Sequence, residues 1–308
     1  MLGYLCAYMR YYHTKEFICA YLDCSKSDND KYNGVMLAKN KNIKISQPVF
    51  RKSSSHWSVD KDKDIIYKGI MSIARINENH GNELFLLGQK KYDTFVDLLQ
   101  DIKLETSLNK TQRDILIKLD FFKEFGDINK LLLYSSVFDK YYQSKVIKKA
   151  NLSEIEKESI IDCYTIETLK QFKGINNLKF IDNIVKNTKV EPLTIRQKIK
   201  WKAEFIGFVD DIDENEDVHI STVLNVEKDK YNRRWITLYN NKTGKTITTK
   251  DLSKNKIKCE KGDVLDCIFR NKKKYKKIGN NKDDKPVFSK TGESEIVISD
   301  YAIIEMIK

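Results

Sequence analysis

The chain has 308 residues, 41% of them apolar, which is enough to bury a core in each of two domains. An aromatic content of 11% excludes a disordered polyelectrolyte, and no apolar run approaches the roughly 18 residues of a membrane span. The net charge of +12 points to an acidic partner.

Leu2, Leu5, Met9 and Tyr12 recur at three- and four-residue steps and predict a helix that breaks at His13-Thr14 and resumes through Phe17, Ala20 and Tyr21. The charge at this end follows the apolar stretch, where a secretory signal carries it before, so cytoplasmic residence is expected. A second short helix is expected over 33–42. Lys44 to Gln47 then leads into Pro48 and an extended stretch, with Ser53-Ser54-Ser55 as a loop. Val59 to Tyr67 reads as a hairpin with Asp60-Lys61-Asp62-Lys63-Asp64 at its tip, and the spacing from Gly69 to Leu87 is helical again.

Asn109-Lys110-Thr111-Gln112 is a capping box, in which Asn accepts from orphan amides while Gln reaches back. It opens a helix with Ile115, Leu119 and Phe122 on one face. Ser153-Glu154-Ile155-Glu156 is a second box, and its helix is expected to end near Lys173-Gly174. Near residue 200 the period changes. Residues 203–210, 218–227, 234–239, 245–249, 264–269 and 295–307 read as strands rich in β-branched and aromatic residues. About five strands in this span suit a small closed barrel of the OB type. The chain is thus expected to be α+β: a helical segment with a hairpin (1–64), a helical domain (65–192) and a barrel (200–308), with Pro192 in the linker.

The charge is a patch. Between Lys230 and Lys277 sixteen Lys/Arg stand against four Asp/Glu, a local excess equal to that of the whole chain. Tyr231, Trp235, Tyr239, Phe269 and Tyr275 interleave it. Cations track a phosphate backbone and flat rings stack on bases, so this stretch points to a nucleic-acid groove. The bland alternatives are a Lys bias, since only eight of 56 cations are Arg, and a solvated hairpin for Lys272-Lys273-Lys274-Tyr275-Lys276-Lys277. Strand alternation also permits Trp235 and Tyr239 to be barrel core.

Other candidate chemistry fails on spacing. Asp60, Asp62 and Asp64 alternate, but Lys61 and Lys63 separate them, as at a solvated tip. The acidic run from Asp210 to Asp217 lacks the Gly and Glu of a calcium loop, whether counted from Asp210 or Asp211. Gly244-Lys245-Thr246 has Tyr239 where a phosphate-binding loop needs Gly. The six cysteines form no CxxC pair and no His stands at ligand spacing from one, so buried, reduced thiols and no metal are expected.

The motifs also resemble a known family. Gly3-Tyr4 through Tyr21-Leu22, with Tyr8, Tyr11-Tyr12-His13 and Glu16-Phe17, looks like the end of the fingers of the bacterial replicative DNA polymerase III alpha subunit. Ile43-Lys44-Ile45-Ser46-Gln47-Pro48, Ile65 to Ile73, and Leu108-Asn109-Lys110 with Leu116-Ile117-Lys118 and Phe121-Phe122 are similar to its following segments, in order. The resemblance implies a helix–hairpin–helix next, then an OB barrel. Two departures stand out. The Gly-Val-Gly hairpin falls on Arg75-Ile76-Asn77, so both glycines are gone; Asn tolerates a left-handed backbone and Arg does so poorly. The palm, with its metal-binding aspartates, would lie upstream of Gly3.

The resemblance therefore implies a DNA-holding part without its own catalytic residues. It needs no cofactor, and Mg2+ enters only if a palm-bearing partner completes the site. Arg233, Arg234, Trp235, Tyr239, Lys272, Lys273, Lys274, Tyr275, Lys276 and Lys277 are expected on single-stranded template, and Arg75, Lys110 and Arg113 on duplex backbone. The rivals are half of a split polymerase, with residues 2–22 as its interface, and a replication-factor module whose Gln197-Lys198-Ile199-Lys200-Trp201 binds a sliding clamp.

Overall fold

The computed structural model describes residues 2–306 except 26–27, 61–62, 207–208, 210 and 281–285; the side chains of 2, 28–29, 31–32, 276–280 and 286–288 also lie outside the description. The chain divides between Leu193 and Thr194 into two units.

In the first unit His13 leaves helical geometry (φ −129°, ψ 52°) and separates α1 (Leu2–Tyr12) from α2 (Thr14–Cys24). α3 (Asp28–Asn40) packs on α2 at Gly34, where a β-carbon would stand 2.6 Å from the Leu22 side chain. Ile18, Leu22, Ala38 and Ile66 are buried together here. Ile66 belongs to a three-stranded sheet of β1 (Lys44–Ser46), β2 (Ser58–Asp60) and β3 (Ile65–Tyr67), ordered β1-β3-β2. β2 and β3 are the antiparallel arms of the expected hairpin, and β1 runs parallel to β3. Lys61 and Asp62 at its tip lie outside the described residues.

The rest of this unit is mainly helical: α4 (Glu78–Leu87), α5 (Phe95–Glu105), α6 (Lys110–Lys118), α7 (Ile128–Tyr141), α8 (Glu154–Ser159) and α9 (Asn177–Asn187). Capping boxes open four of them, at Asn77/His80, Thr94/Asp97, Asn109/Gln112 and Ser153/Glu156. The Phe122 ring centroid lies 5.4 Å from Phe50, 5.6 Å from Phe95 and 4.9 Å from Phe121, a knot of aromatic rings beneath these helices. The helix from Ser153 stops at Ser159, well short of Lys173-Gly174. Asp162 takes a left-handed turn (φ 63°), and the chain returns as the hairpin of β5 (Ile166–Glu167) and β6 (Gln171–Lys173) beside β4 (Val146–Lys148). Glu156 does more than cap α8. It also accepts from Lys140 Nζ at 2.7 Å and Tyr141 Oη at 2.8 Å. Burial pushes its carboxyl up, but these donors and the Ser153 amide outweigh it and hold the pKa at about 2.

The second unit opens with α10 (Ile195–Phe205), capped by Thr194. The strand expected from Ala203 begins instead as the last turn of this helix, because Ile199 and Ala203, four residues apart, bury one helical face. Five strands follow: β7 (Ile220–Lys228), β8 (Arg234–Asn240), β9 (Thr246–Lys250), β10 (Val264–Asn280) and β11 (Pro286–Glu305). Their order is β11-β10-β7-β8-β9, antiparallel at every named pairing. The two edges also meet: Asp251, just past β9, bridges Ile298 of β11 in parallel, and Leu252 N–H donates to Ile298 O at 3.0 Å. Val223, Ile236, Leu238, Leu265, Cys267 and Ile298 fill the core between them. Arg196 of α10 grips Glu216 at 2.7 Å and Glu305 of β11 at 3.3 Å, tying the first helix to the last strand.

Candidate nucleic-acid interface

Alternation along β8 decides what faces out. Ile236 and Leu238 are fully buried in the sheet's core, which sends Trp235 and Thr237 to the outer face. On β9, Lys250 stands opposite Trp235 and Thr248 opposite Thr237. Lys250 Nζ lies 5.0 Å from the centroid of the half-buried Trp235 ring and 2.8 Å from both carboxylate oxygens of Glu295 on β11. Glu295 in turn stands opposite Lys272 of β10. A row of aromatic and charged groups therefore crosses β8, β9, β11 and β10.

The turn before β8 adds a second group. Asp229 accepts from the amides of Tyr231 and Arg233, both at 2.9 Å, from Arg233 Nε at 2.7 Å and from Trp235 Nε1 at 3.4 Å. Partial desolvation acts to raise its carboxyl, but the donors outweigh it and hold the pKa at about 2. The organised turn presents Tyr231, 65% exposed, with Lys230 Nζ 5.1 Å and Arg233 Cζ 4.7 Å from its ring centroid. An exposed ring flanked by cations can stack on a base while its neighbours meet phosphates.

The expected residues fare differently. Arg233 and Trp235 come together around Asp229. Arg234 turns inward: its guanidinium donates to the Cys259 carbonyl and lies 3.7 Å from the buried Asp251 carboxylate. It neutralises that carboxylate. Tyr239 is on the outer face of β8, but α10 covers it. It is 3% exposed, packed with Ile199, Ala203, Val209 and Leu224, and its hydroxyl donates to Asp211 O at 2.7 Å. Neither side chain is open to a base.

Lys272, Lys273, Lys274 and Tyr275 are all exposed on β10; Lys274 pairs with Glu293 at 3.1 Å. The side chains of Lys276 and Lys277 lie outside the described residues. Local spacing does not distinguish Lys250 and Arg270 from the other cations of the basic stretch. The register that sets Lys250 against Trp235 is a cross-strand fact, invisible to local spacing.

In the first unit, Arg75 is exposed and left-handed (φ 67°), while Asn77 is extended (φ −114°) and caps α4. The strain thus falls on Arg rather than on the more tolerant Asn. Gln112 Nε2 braces the turn by donating to Arg75 O at 2.9 Å. Lys110 pairs with Asp139 at 3.2 Å and stays exposed. Arg113 is 4% exposed, with Nε donating to Ser135 Oγ at 3.0 Å and Nη2 to Asp139 at 2.8 Å. It is committed to the fold. Gln197 and Trp201 lie within α10, whose Ile199 is fully buried, so this segment is not displayed as an extended clamp-binding peptide.

Among the described residues no group of His, Cys, Asp and Glu is arranged to hold a metal, and no helix is long and apolar enough to cross a membrane. Cys19, Cys163, Cys259 and Cys267 are buried thiols, whereas Cys6 and Cys24 are exposed, against the expectation for all six. Burial pushes Cys19 and Cys267 up to about 12.

No protein-family model matches the chain. It is similar to the DNA polymerase III subunit alpha of Ureaplasma parvum serovar 3 (strain ATCC 700970), 29% identical over 147 residues. The alignment covers 45% of this chain and 15% of that relative.

Proposed function

We propose that this chain is a DNA-binding portion of a DNA polymerase III alpha-like replication protein, holding template or primer DNA without a palm of its own. The observation that carries the reading is the outer face of β8 and β9 with the turn before β8, where Trp235 and Lys250 on the strands and Lys230, Tyr231 and Arg233 in the turn set two rings among three cations. The similarity to the Ureaplasma subunit supports a role in DNA replication.

On this reading the second unit is an OB-type barrel. Its strand order and the parallel contact between β9 and β11 support that, and ligands of such barrels lie on the second and third strands and their loops, here β8, β9 and the 229–233 turn. The segment from Ile70 through the Arg75 turn into α4 is the degenerate helix–hairpin–helix. Its missing glycines leave Arg75 to meet phosphate through its side chain. Mg2+ belongs only to a site completed by a palm-bearing chain.

Fluorescence anisotropy with labelled oligo(dT) at several salt concentrations tests the proposal. Affinity should fall steeply with salt, and Trp235→Ala and Tyr231→Ala should each weaken binding by about 1–3 kcal/mol. Salt-independent binding, or none, refutes it. A split polymerase is a second reading, favoured by the outward Tyr4, Leu5, Tyr11 and Tyr12 of α1, each more than half exposed. Primer extension that gains nothing on mixing with a palm-bearing chain removes it.

A further inference from the structure

β10 and β11 are far longer than the core requires. Among the described side chains the last deeply buried ones are Cys267 and Val297, and beyond them the two strands continue as a pair to Asn280 and Pro286. The thirteen residues from Ile268 to Asn280 span about 40 Å at strand rise, more than a turn of duplex DNA. Every residue from Arg270 to Tyr275 is exposed, although alternation sends successive side chains to opposite faces. Over Arg270–Tyr275 and the facing residues 289–294 this is a two-stranded ribbon uncovered on both sides.

Its charge is mostly positive: on β11 Glu293 pairs with Lys274 and Glu295 with Lys250, and the remaining cations outnumber them. Residues 270–280 contain six Lys/Arg and no acid, and Lys290 stands opposite Tyr275. Lys272 and Lys273 point to opposite faces, so the ribbon offers cations on both. Midway the register slips: Lys273 pairs with Ser294 but Tyr275 with Lys290, and the extra residues turn at Gly292 (φ 80°). Such a bulge bends a ribbon and sharpens its twist.

From these features, and resting on the DNA-binding reading above, we infer that the ribbon is a separate duplex-gripping arm that enters the major groove of B-form DNA. A single strand offers one row of phosphates and leaves half of the cations unmatched. A groove has a phosphate row on each wall, and the roughly 12 Å major groove of B-DNA admits a two-stranded ribbon. The major groove of A-form RNA is too narrow for it. The arm thus has a role of its own beside the Trp235–Lys250 face, which it meets at Lys272 and which serves bases that are already unstacked.

The test compares the full chain, the triple variant Arg270→Gln/Lys273→Gln/Lys290→Gln and Trp235→Ala on three probes: a 25-bp DNA duplex, the same RNA duplex and oligo(dT). Lys272 is left intact because it stands opposite Glu295, on the Trp235–Lys250 row. Lys274 is left intact because Glu293 already pairs it. The full chain should prefer the DNA duplex to the RNA duplex. The triple variant should lower the slope of log affinity against log salt by about three on DNA duplex, at about 0.9 per lost phosphate contact. Its oligo(dT) slope should change by less than about one. Trp235→Ala removes a ring and no charge, so it should weaken oligo(dT) binding about 5–150-fold with the salt slope unchanged, and leave duplex affinity within about twofold. Equal loss on duplex and oligo(dT), or equal binding of the two duplexes, overturns the inference. Oligo(dT) binding without duplex binding also overturns it, yet leaves the proposed function standing. Failure to bind any of the three probes removes both. Circular dichroism melts confirm that the variants fold.

Discussion

Arg113 separates two kinds of basic residue. Residue type and position place it among the DNA contacts, whereas its geometry makes it a strut between α6 and α7. Arg113→Ala removes two charge-assisted hydrogen bonds, to Ser135 and Asp139, each worth about 1.5–3 kcal/mol. Breaking a buried pair by deleting one partner costs about 3–5 kcal/mol, because the other is left uncompensated. Here the loss is softened on both sides. Lys110 remains 3.2 Å from Asp139, which is itself 32% exposed, and Ser135 still donates to Asp114. The expected cost is therefore at the lower end, about 3 kcal/mol. In a first unit of this size that lowers the melting temperature by roughly 6–12 °C. Calorimetry measures the shift, and anisotropy at 15 °C measures DNA affinity of the folded variant. An unchanged melting temperature with weakened DNA binding refutes the argument and restores Arg113 to the interface.

Three further outcomes follow from the geometry. Tyr239→Phe deletes the hydrogen bond to Asp211 O and should cost about 1 kcal/mol in urea unfolding, with the oligo(dT) affinity of the folded chain unchanged. Arg75→Gly removes a left-handed penalty of about 1–2 kcal/mol against a glycine entropy cost of about 0.5–1, so the net should be a slight gain in stability. A loss would mean that the turn is unstrained. The Glu156 carboxyl, held at about 2 against an ordinary 4.5, stabilises the fold fully above its unfolded value and less as pH falls from about 4.5 to 2. Glu156→Gln should flatten that part of the urea-unfolding profile, and an identical profile would remove Glu156 from the account.

What the sequence made legible was local. The Asn109 and Ser153 caps are contacts within three residues, and both boxes form as written. The hairpin of β2 and β3 and the break at His13 are equally short-range. What it hid depends on partners far along the chain. Alternation put Trp235 and Tyr239 on one face, correctly, but only the packing of α10 decides that one is half open and the other sealed. The inward turn of Arg234 depends on Asp251, and the commitment of Arg113 on Asp139. The length of β10 is hidden in the same way: a Lys-rich run reads as a solvated hairpin until pairing with β11 supplies its hydrogen bonds.

The bridge from Asp251 to Ile298, together with the grip of Arg196 on Glu305, has a bearing on how the second unit is made. These contacts join residues 47 and 109 positions apart, and β10 has little to pair with until β11 follows it. A ribosome delivers the chain from one end, so α10, β7, β8 and β9 emerge before the strand that joins their edges. During that interval β9 and β10 expose unpaired backbone, the usual template for misassembly. The excess of lysine along the same strands then has a second use. Like charges on nascent edges repel neighbouring copies until the last strand arrives, so the composition has a use during synthesis beside the one proposed for it on DNA.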